Sequence, residues 1–361
     1  MRDVNYNPNR KFKTVRTPYL TEKIVFIDGL EGCGKTLFST LVSSFDRVEK
    51  LTYSYEIEFF CTLHYLNKID TDAVVTMVRM LTDLVTYDTM MSREVNLRPG
   101  DLSSIFRHPN TLGYLKRLFM KGDSAVPERI KNEKPIIPLT VHKLLMNAQP
   151  IFEALQGRLV FIEIVRHPLY MVIQQTLNND TLIHSARDYS VYFEYDNGEM
   201  PWYTAGWEEL FNNANAVEKS IYYIQKIGDR MRESRNKLSK MYNDKIITIP
   251  FEKFVVDPMP YMKDIAEALE SKITKQTLRT MRKQKVPRTK ISDGIPLEVY
   301  KRCGWVPPRS GLSEKEELQV RREYASQTAS AEAMAVLDRL CTEYEETYMG
   351  KRIMGNNGFK D

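Results

Sequence analysis

Gly29-Leu30-Glu31-Gly32-Cys33-Gly34-Lys35-Thr36 fits the pattern G-x-x-x-x-G-K-[ST] at every fixed position. Glycines in such a segment let the backbone wrap so that successive N–H groups point inward at a phosphate. A helix that follows presents its positive N-terminal end to the same anion. Lys35 adds a full charge at a bridging or terminal phosphate, and the Thr36 hydroxyl can hold Mg²⁺ or a phosphate oxygen. The chemistry expected of Gly29, Gly32, Cys33, Gly34, Lys35 and Thr36 is therefore the binding of a phosphorylated ligand. The reaction is not fixed by this loop. A nucleoside triphosphatase also places an acid at the end of a neighbouring strand to position Mg²⁺. Here the run Ile136–Val141 carries no acid and ends at His142, Glu163 lies inside its run rather than at its end, and Asp28 abuts the loop itself.

Elements must hold that loop in place. Lys23–Asp28 (KIVFID) is a short apolar, β-branched run of the kind that forms a buried parallel strand, and LFSTLVSSF after the loop reads as a helix. Further strands are expected at Ile136–Val141, where Pro138 weakens the signal, at Arg158–Val165 and at Lys245–Ile249. Helical periodicity covers 72–92, 111–120, 143–155 with a break near Pro150, 216–242, 259–270 and 313–346. Strands alternating with helices imply a mostly parallel sheet covered on both faces. The expected fold is a three-layer α/β/α phosphate-loop fold, with C-terminal helices and a β-hairpin inserted around Asn197-Gly198. No linker cuts the chain, so one domain is expected over 21–350, with the hairpin insertion at 187–210, a basic arm at 1–20 and a tail at 351–361.

Three later segments add to the loop. PLTVHKLL (138–145), then RLVFIEIV followed by Arg166-His167-Pro168, then KIITIPFEKFVVDP (245–258) resemble, in order and spacing, the P-loop sulfotransferase superfamily. The resemblance runs from about residue 24 to 270 and implies a single P-loop transferase domain. It implies binding of the sulfate donor 3′-phosphoadenosine 5′-phosphosulfate (PAPS) and of its product, adenosine 3′,5′-bisphosphate (PAP). It also implies sulfuryl transfer to an acceptor hydroxyl on a small molecule or a glycan. His142 then matches the family's catalytic base, suited by its ordinary pKa near ~6.5. Arg166 matches the arginine of the donor's 3′-phosphate, to which a guanidinium is well shaped. Lys35 would stabilise the charge building up between phosphate and sulfuryl group. Where the family has a serine eight residues after that arginine, this chain has Gln174, which keeps a hydrogen-bond donor. The family's cationic residue in mid-loop is Gly32 here, and the late Arg-Lys-Gly segment has only an echo in Arg302-Cys303-Gly304-Trp305. The loop by itself, FIDGLEGCGKT, looks more like a nucleotide kinase, thymidylate kinases in particular, although the Asp-Arg pair of those kinases is not found. The alternatives are thus an ATP- and Mg²⁺-dependent kinase of a nucleotide or small molecule, and a nucleotide-binding protein without chemistry.

Composition narrows the field. The 361 residues are 42% apolar and 27% charged, which excludes a disordered or fibrous chain and allows a sizeable core. A net charge of +5, from 52 basic and 47 acidic residues, falls short of a nucleic-acid signature. No run approaches ~18 apolar residues, so neither a span nor a membrane partner is expected, and the basic N-terminus lacks a leader's apolar run. Cys33, Cys61, Cys303 and Cys341 are scattered, which indicates neither a disulfide scaffold nor a zinc site and suits a cytoplasmic protein. No metal site is expected, and His64, His108, His167 and His184 receive no role. The aromatics Tyr189, Tyr192, Phe193, Tyr195, Trp202, Tyr203 and Trp207 form either a lid over a substrate or the packing of the insertion's own small core. The basic stretch 279–290 either reaches donor phosphates or an acidic acceptor, or is a solvated helix end.

Overall fold

The computed structural model describes residues 12–17, 19–101, 103–196, 198–242, 246–291 and 311–350. The expected tail (351–361), the Arg302–Trp305 echo, Asn197, Lys245 and the first half of the basic arm lie outside the described residues. Within them are seven strands: β1 (Lys23–Asp28), β2 (Thr52–Tyr53), β3 (Ile136–Thr140), β4 (Leu159–Val165), β5 (Tyr192–Tyr195), β6 (Gly198–Pro201) and β7 (Ile246–Pro250). Five of them form one parallel sheet in the order β2-β3-β1-β4-β7, with flanking helices, and β5 and β6 pair antiparallel as the expected hairpin.

The loop-bearing strand β1 is central because its apolar run can be buried on both faces, and Ile24–Asp28 are buried throughout. Val25 stands in register with Pro138 of β3 on one side and Val160 of β4 on the other. Pro138 is tolerated for a directional reason. Ile136 exchanges backbone hydrogen bonds with Arg47 and Glu49 on the outer side of β3, and Pro138, two residues on, faces that same side. The neighbour there, β2, pairs with only Leu139 and Thr140, so the missing N–H falls at the sheet's thin edge.

The chain leaves β1 toward β3 and later crosses to β4 and β7. Right-handed crossovers in opposite directions place their helices on opposite faces of the sheet, and the packing agrees. Helix Lys35–Val42 packs with helix Lys275–Lys283, while Phe38 meets Phe254 with ring centroids 4.1 Å apart. Helix Pro168–Thr181 packs against Ala216–Tyr242, which carries Ala331–Tyr344 in turn.

Four details differ from the sequence expectation or add to it. The stretch 143–155 is a 3₁₀ turn, Leu144–Asn147, followed by helix Gln149–Leu155, because Pro150 fits only in a first turn. The stretch 313–346 is two helices, Glu314–Ser326 and Ala331–Tyr344, each opened by a serine cap, Ser313 and Ser330. The described part of the arm lies on helix Thr71–Met91, where Thr14 bonds Asp72 and Arg16 pairs with Asp83 at 2.8 Å. Trp202, Tyr203 and Trp207 of the insertion join the main core rather than forming one of their own.

Candidate active site

The phosphate loop leaves β1 at Asp28 and enters its helix at Gly34, whose φ of +102° is in the left-handed region. A Cβ there would overlap the ring of Phe251, so only glycine fits on both counts. Lys35 is buried and its ammonium donates to the Gly29 carbonyl. Thr36 is exposed on the first helical turn. Cys33 is buried and its thiol is pushed up to about 11, chiefly by burial, so it is a packing residue rather than a nucleophile.

His142 follows β3 and lies at the loop's edge, since the next residue's N–H, that of Lys143, donates to the Gly29 carbonyl at 3.4 Å. Its Nδ1 is 3.1 Å from Glu58 Oε1. Its ring lies nearly parallel to those of Tyr53 and Tyr55, each 6.2 Å away. Glu58 comes from helix Tyr55–Tyr65, which starts two residues after the short β2. These groups open on a cleft of about 220 Å³ whose walls include Glu31, Lys143, Gln175, Tyr189, Tyr203 and Tyr223. Glu31, in mid-loop, turns its carboxylate into this cleft. It accepts from Lys143 Nζ at 2.9 Å and from the Tyr223 hydroxyl at 2.6 Å. Burial pushes its carboxyl up, but Lys143, Lys35 and His142 outweigh burial and hold it well below the usual range. Lys143 Nζ also lies over the rings of Tyr203 and Tyr223, at 5.1 and 5.9 Å. The aromatic insertion therefore walls the cleft and packs into the core at once, and Tyr189 stands exposed beside Tyr55.

Arg166 leaves the end of β4 on the other side of the loop. Its Nη1 donates to the Gly32 carbonyl at 2.7 Å, and its guanidinium stacks on Phe251 at 4.4 Å and Tyr170 at 4.9 Å. Glu252 is its counter-charge at 3.8 Å, too far for a hydrogen bond, and the buried Arg166 Nε has no hydrogen-bond partner among the described residues. An unsatisfied cationic donor of this kind can take an anion as its partner. Glu252 also accepts from the His167 N–H and the Tyr344 hydroxyl. His167 is fully buried, caps helix Pro168–Thr181 and lies 3.2 Å from Glu345. Gln174 sits against Gly32 through its Cβ, with its amide turned to Asn178 at 2.9 Å. Its neighbour Gln175 is the one that bonds the loop, at the Glu31 carbonyl, 2.9 Å away.

The acids near the loop are committed to other roles. Glu163 pairs with Arg235 at 2.7 Å and accepts from Thr248 at 3.0 Å. Asp28 is fully buried, with Oδ2 accepting from the Leu145 N–H at 2.6 Å and Oδ1 left without a partner. Burial pushes its carboxyl up to about 6 against the opposing pull of Lys35. No three His, Cys, Asp or Glu side chains come together as a metal site among the described residues. A carboxyl raised above its ordinary value makes the folded state hold a proton that the unfolded state has lost. Asp28 is therefore expected to cost nothing near pH 4 and to erode stability as pH rises to 6, by about 3 kcal/mol in all. Asp28→Asn should remove that slope, which denaturant unfolding of both proteins between pH 4 and 7 would measure. Parallel curves would refute it.

Lys35, His142, Arg166 and Gln174 thus come to one edge of the sheet, around Gly29–Thr36. Glu58, Glu31, Lys143, Tyr223 and Gln175 were not singled out by sequence: Glu31 fills a variable position of the phosphate loop, Lys143 stands next to His142, and Glu58, Tyr223 and Gln175 lie outside any motif. The chain matches no family model and, in sequence, no curated protein. In structure it is similar to several solved sulfotransferases. One is sulfotransferase STF9 from Mycobacterium avium, 15% identical over 92% of this chain and 78% of that one, with a TM-score of 0.42. Another is the sulfotransferase domain from the Curacin biosynthetic pathway, 11% identical over 86% and 99%, with a TM-score of 0.41. The third is the sulfotransferase domain from the Synechococcus PCC 7002 olefin synthase, 13% identical over 87% and 98%, with a TM-score of 0.41.

Proposed function

We propose that this protein transfers a sulfuryl group from PAPS to an acceptor hydroxyl. The observation that carries the reading is the placement of the His142–Glu58 pair in a cleft that opens directly onto the phosphate loop. The loop amides and Lys35 receive the donor's 5′-phosphate, and Arg166, whose Nε lacks a partner, receives the 3′-phosphate. Glu58 holds the proton of His142 on Nδ1, which leaves Nε2 as the acceptor facing substrate. His142 Nε2 takes the acceptor's proton as that oxygen bonds to sulfur. The bond from sulfur to the 5′-phosphate oxygen breaks, and PAP leaves with its electron pair. Lys35 is placed to offset the charge that grows on that oxygen.

The loop's own form favours a second reading. A lysine followed by an exposed threonine at a helix start suits Thr36 as a ligand of Mg²⁺ in an ATP-dependent kinase. Thermal unfolding separates the two. PAP without metal is expected to raise the melting temperature, by the equivalent of about 2.7 kcal/mol at a hundredfold excess over Kd, and Arg166→Ala to abolish most of that rise. Stabilisation by ATP with Mg²⁺ alone would replace the first reading with the second.

A further inference from the structure

Away from the cleft, the described residues between 96 and 121 form a platform whose surface is apolar and basic at once. Leu97, Phe106, Leu112, Leu118, Phe119 and Met120 are all exposed, Phe119 by 90% and Leu112 by 79%. Helix Thr111–Arg117 carries Leu112, and Phe119 follows in the turn just past the helix end. Arg98, Arg107, Lys116 and Lys121 are exposed among them, while Asp101 is the single acid between 96 and 121. The platform is a fixed surface rather than a loose loop. Arg107 bonds the Gly100 carbonyl at 3.0 Å, Thr111 bonds the Ile105 carbonyl at 2.7 Å, and His108 ties it to the Ser43 carbonyl at 2.9 Å.

Large side chains this exposed, grouped on one segment, mark a docking face. Charge selects the occupant. A second copy paired about a two-fold axis would lay the patch on itself and bring four cations against four. A partner with apolar depth behind an anionic surface answers both features. We propose that residues 96–121 dock peripherally on a lipid bilayer rich in anionic headgroups, with Leu112 and Phe119 entering the acyl boundary and the four cations resting at the headgroups. No helix among the described residues is long and apolar enough to cross a membrane, so this contact is one of surface only.

Flotation of the full chain with vesicles tests the proposal. The protein should float with phosphatidylglycerol-containing vesicles at low salt, stay behind with pure phosphatidylcholine, and be released as salt rises. Leu112→Ser with Phe119→Ser should lower partitioning at least tenfold. Lys116→Glu with Lys121→Glu should lower it further, each cation being worth roughly fivefold. All four positions are exposed, so unchanged melting curves would certify the variants. Absence of flotation with anionic vesicles, or flotation untouched by these substitutions, would overturn the proposal. So would a size-exclusion shift showing that the same substitutions dissociate a dimer, or specific retention on an acidic protein in place of lipid.

Discussion

His142→Ala is expected to slow sulfuryl transfer by about 10²–10⁴-fold, the usual worth of a positioned base, while PAP still stabilises the variant as it does the native protein. The split follows from geometry. The His142 imidazole acts on the loop through charge at Glu31, but its hydrogen bond goes to Glu58, so its loss leaves the loop amides and Lys35 in place. Glu58→Gln separates base from scaffold. A neutral amide can still meet Nδ1 at 3.1 Å but no longer favours the imidazolium that forms during transfer. An intermediate loss, about tenfold, with the Michaelis constant for donor unchanged, is the expected result. Initial rates with a labelled donor and a panel of hydroxyl acceptors would measure both. If His142→Ala kept full rate on an acceptor that the native protein uses, the base would have to be another group.

What sequence could show of this site depended on how local each constraint is. The loop was legible because its requirement is local: Gly34 needs a positive φ and has no room for a Cβ, so the glycine itself is the signal. Four of the five strands of the central sheet, β1, β3, β4 and β7, were legible for the same kind of reason, as short apolar runs. The resemblance to sulfotransferases picked out His142 and Arg166, each at the end of such a run. Glu58 was not legible, because 84 residues separate it from His142 and its helix hangs from a strand of two residues, too short for any pattern. Lys143 was hidden differently. It holds a φ of +47°, unmarked by glycine or asparagine, and its charge is matched by an acid inside the phosphate loop. The choice between Gln174 and Gln175 turned on one step of helical rotation, which sets which amide meets the loop and which turns along the helix to Asn178.

Glu163, an acid inside the strand beside the phosphate loop, yields the largest stability change expected here. It sits in the middle of β4, in register with Asp28, and is buried to within 3% of its surface. Burial pushes its carboxyl up, and Arg235 and Thr248 draw it partly back. Arg235 reaches it from the long helix Ala216–Tyr242, so the pair pins that helix to the sheet. Arg235→Met should therefore cost about 3–5 kcal/mol, since it leaves a buried carboxylate without its cation, and lower the melting temperature by something of order 10 °C. The sign with pH is fixed. With Arg235 gone the folded pKa of Glu163 rises further above its unfolded value, so the folded state gains a proton relative to the unfolded one. The deficit should then be smallest near pH 4 and deepen as pH rises through the new folded pKa. Adding Glu163→Leu to Arg235→Met should recover most of the loss, because two apolar groups of similar size need no partner. Calorimetry of the native protein and these two variants at pH 5 and 8 would decide it. A double variant no more stable than Arg235→Met would mean that the helix is held by something other than this pair.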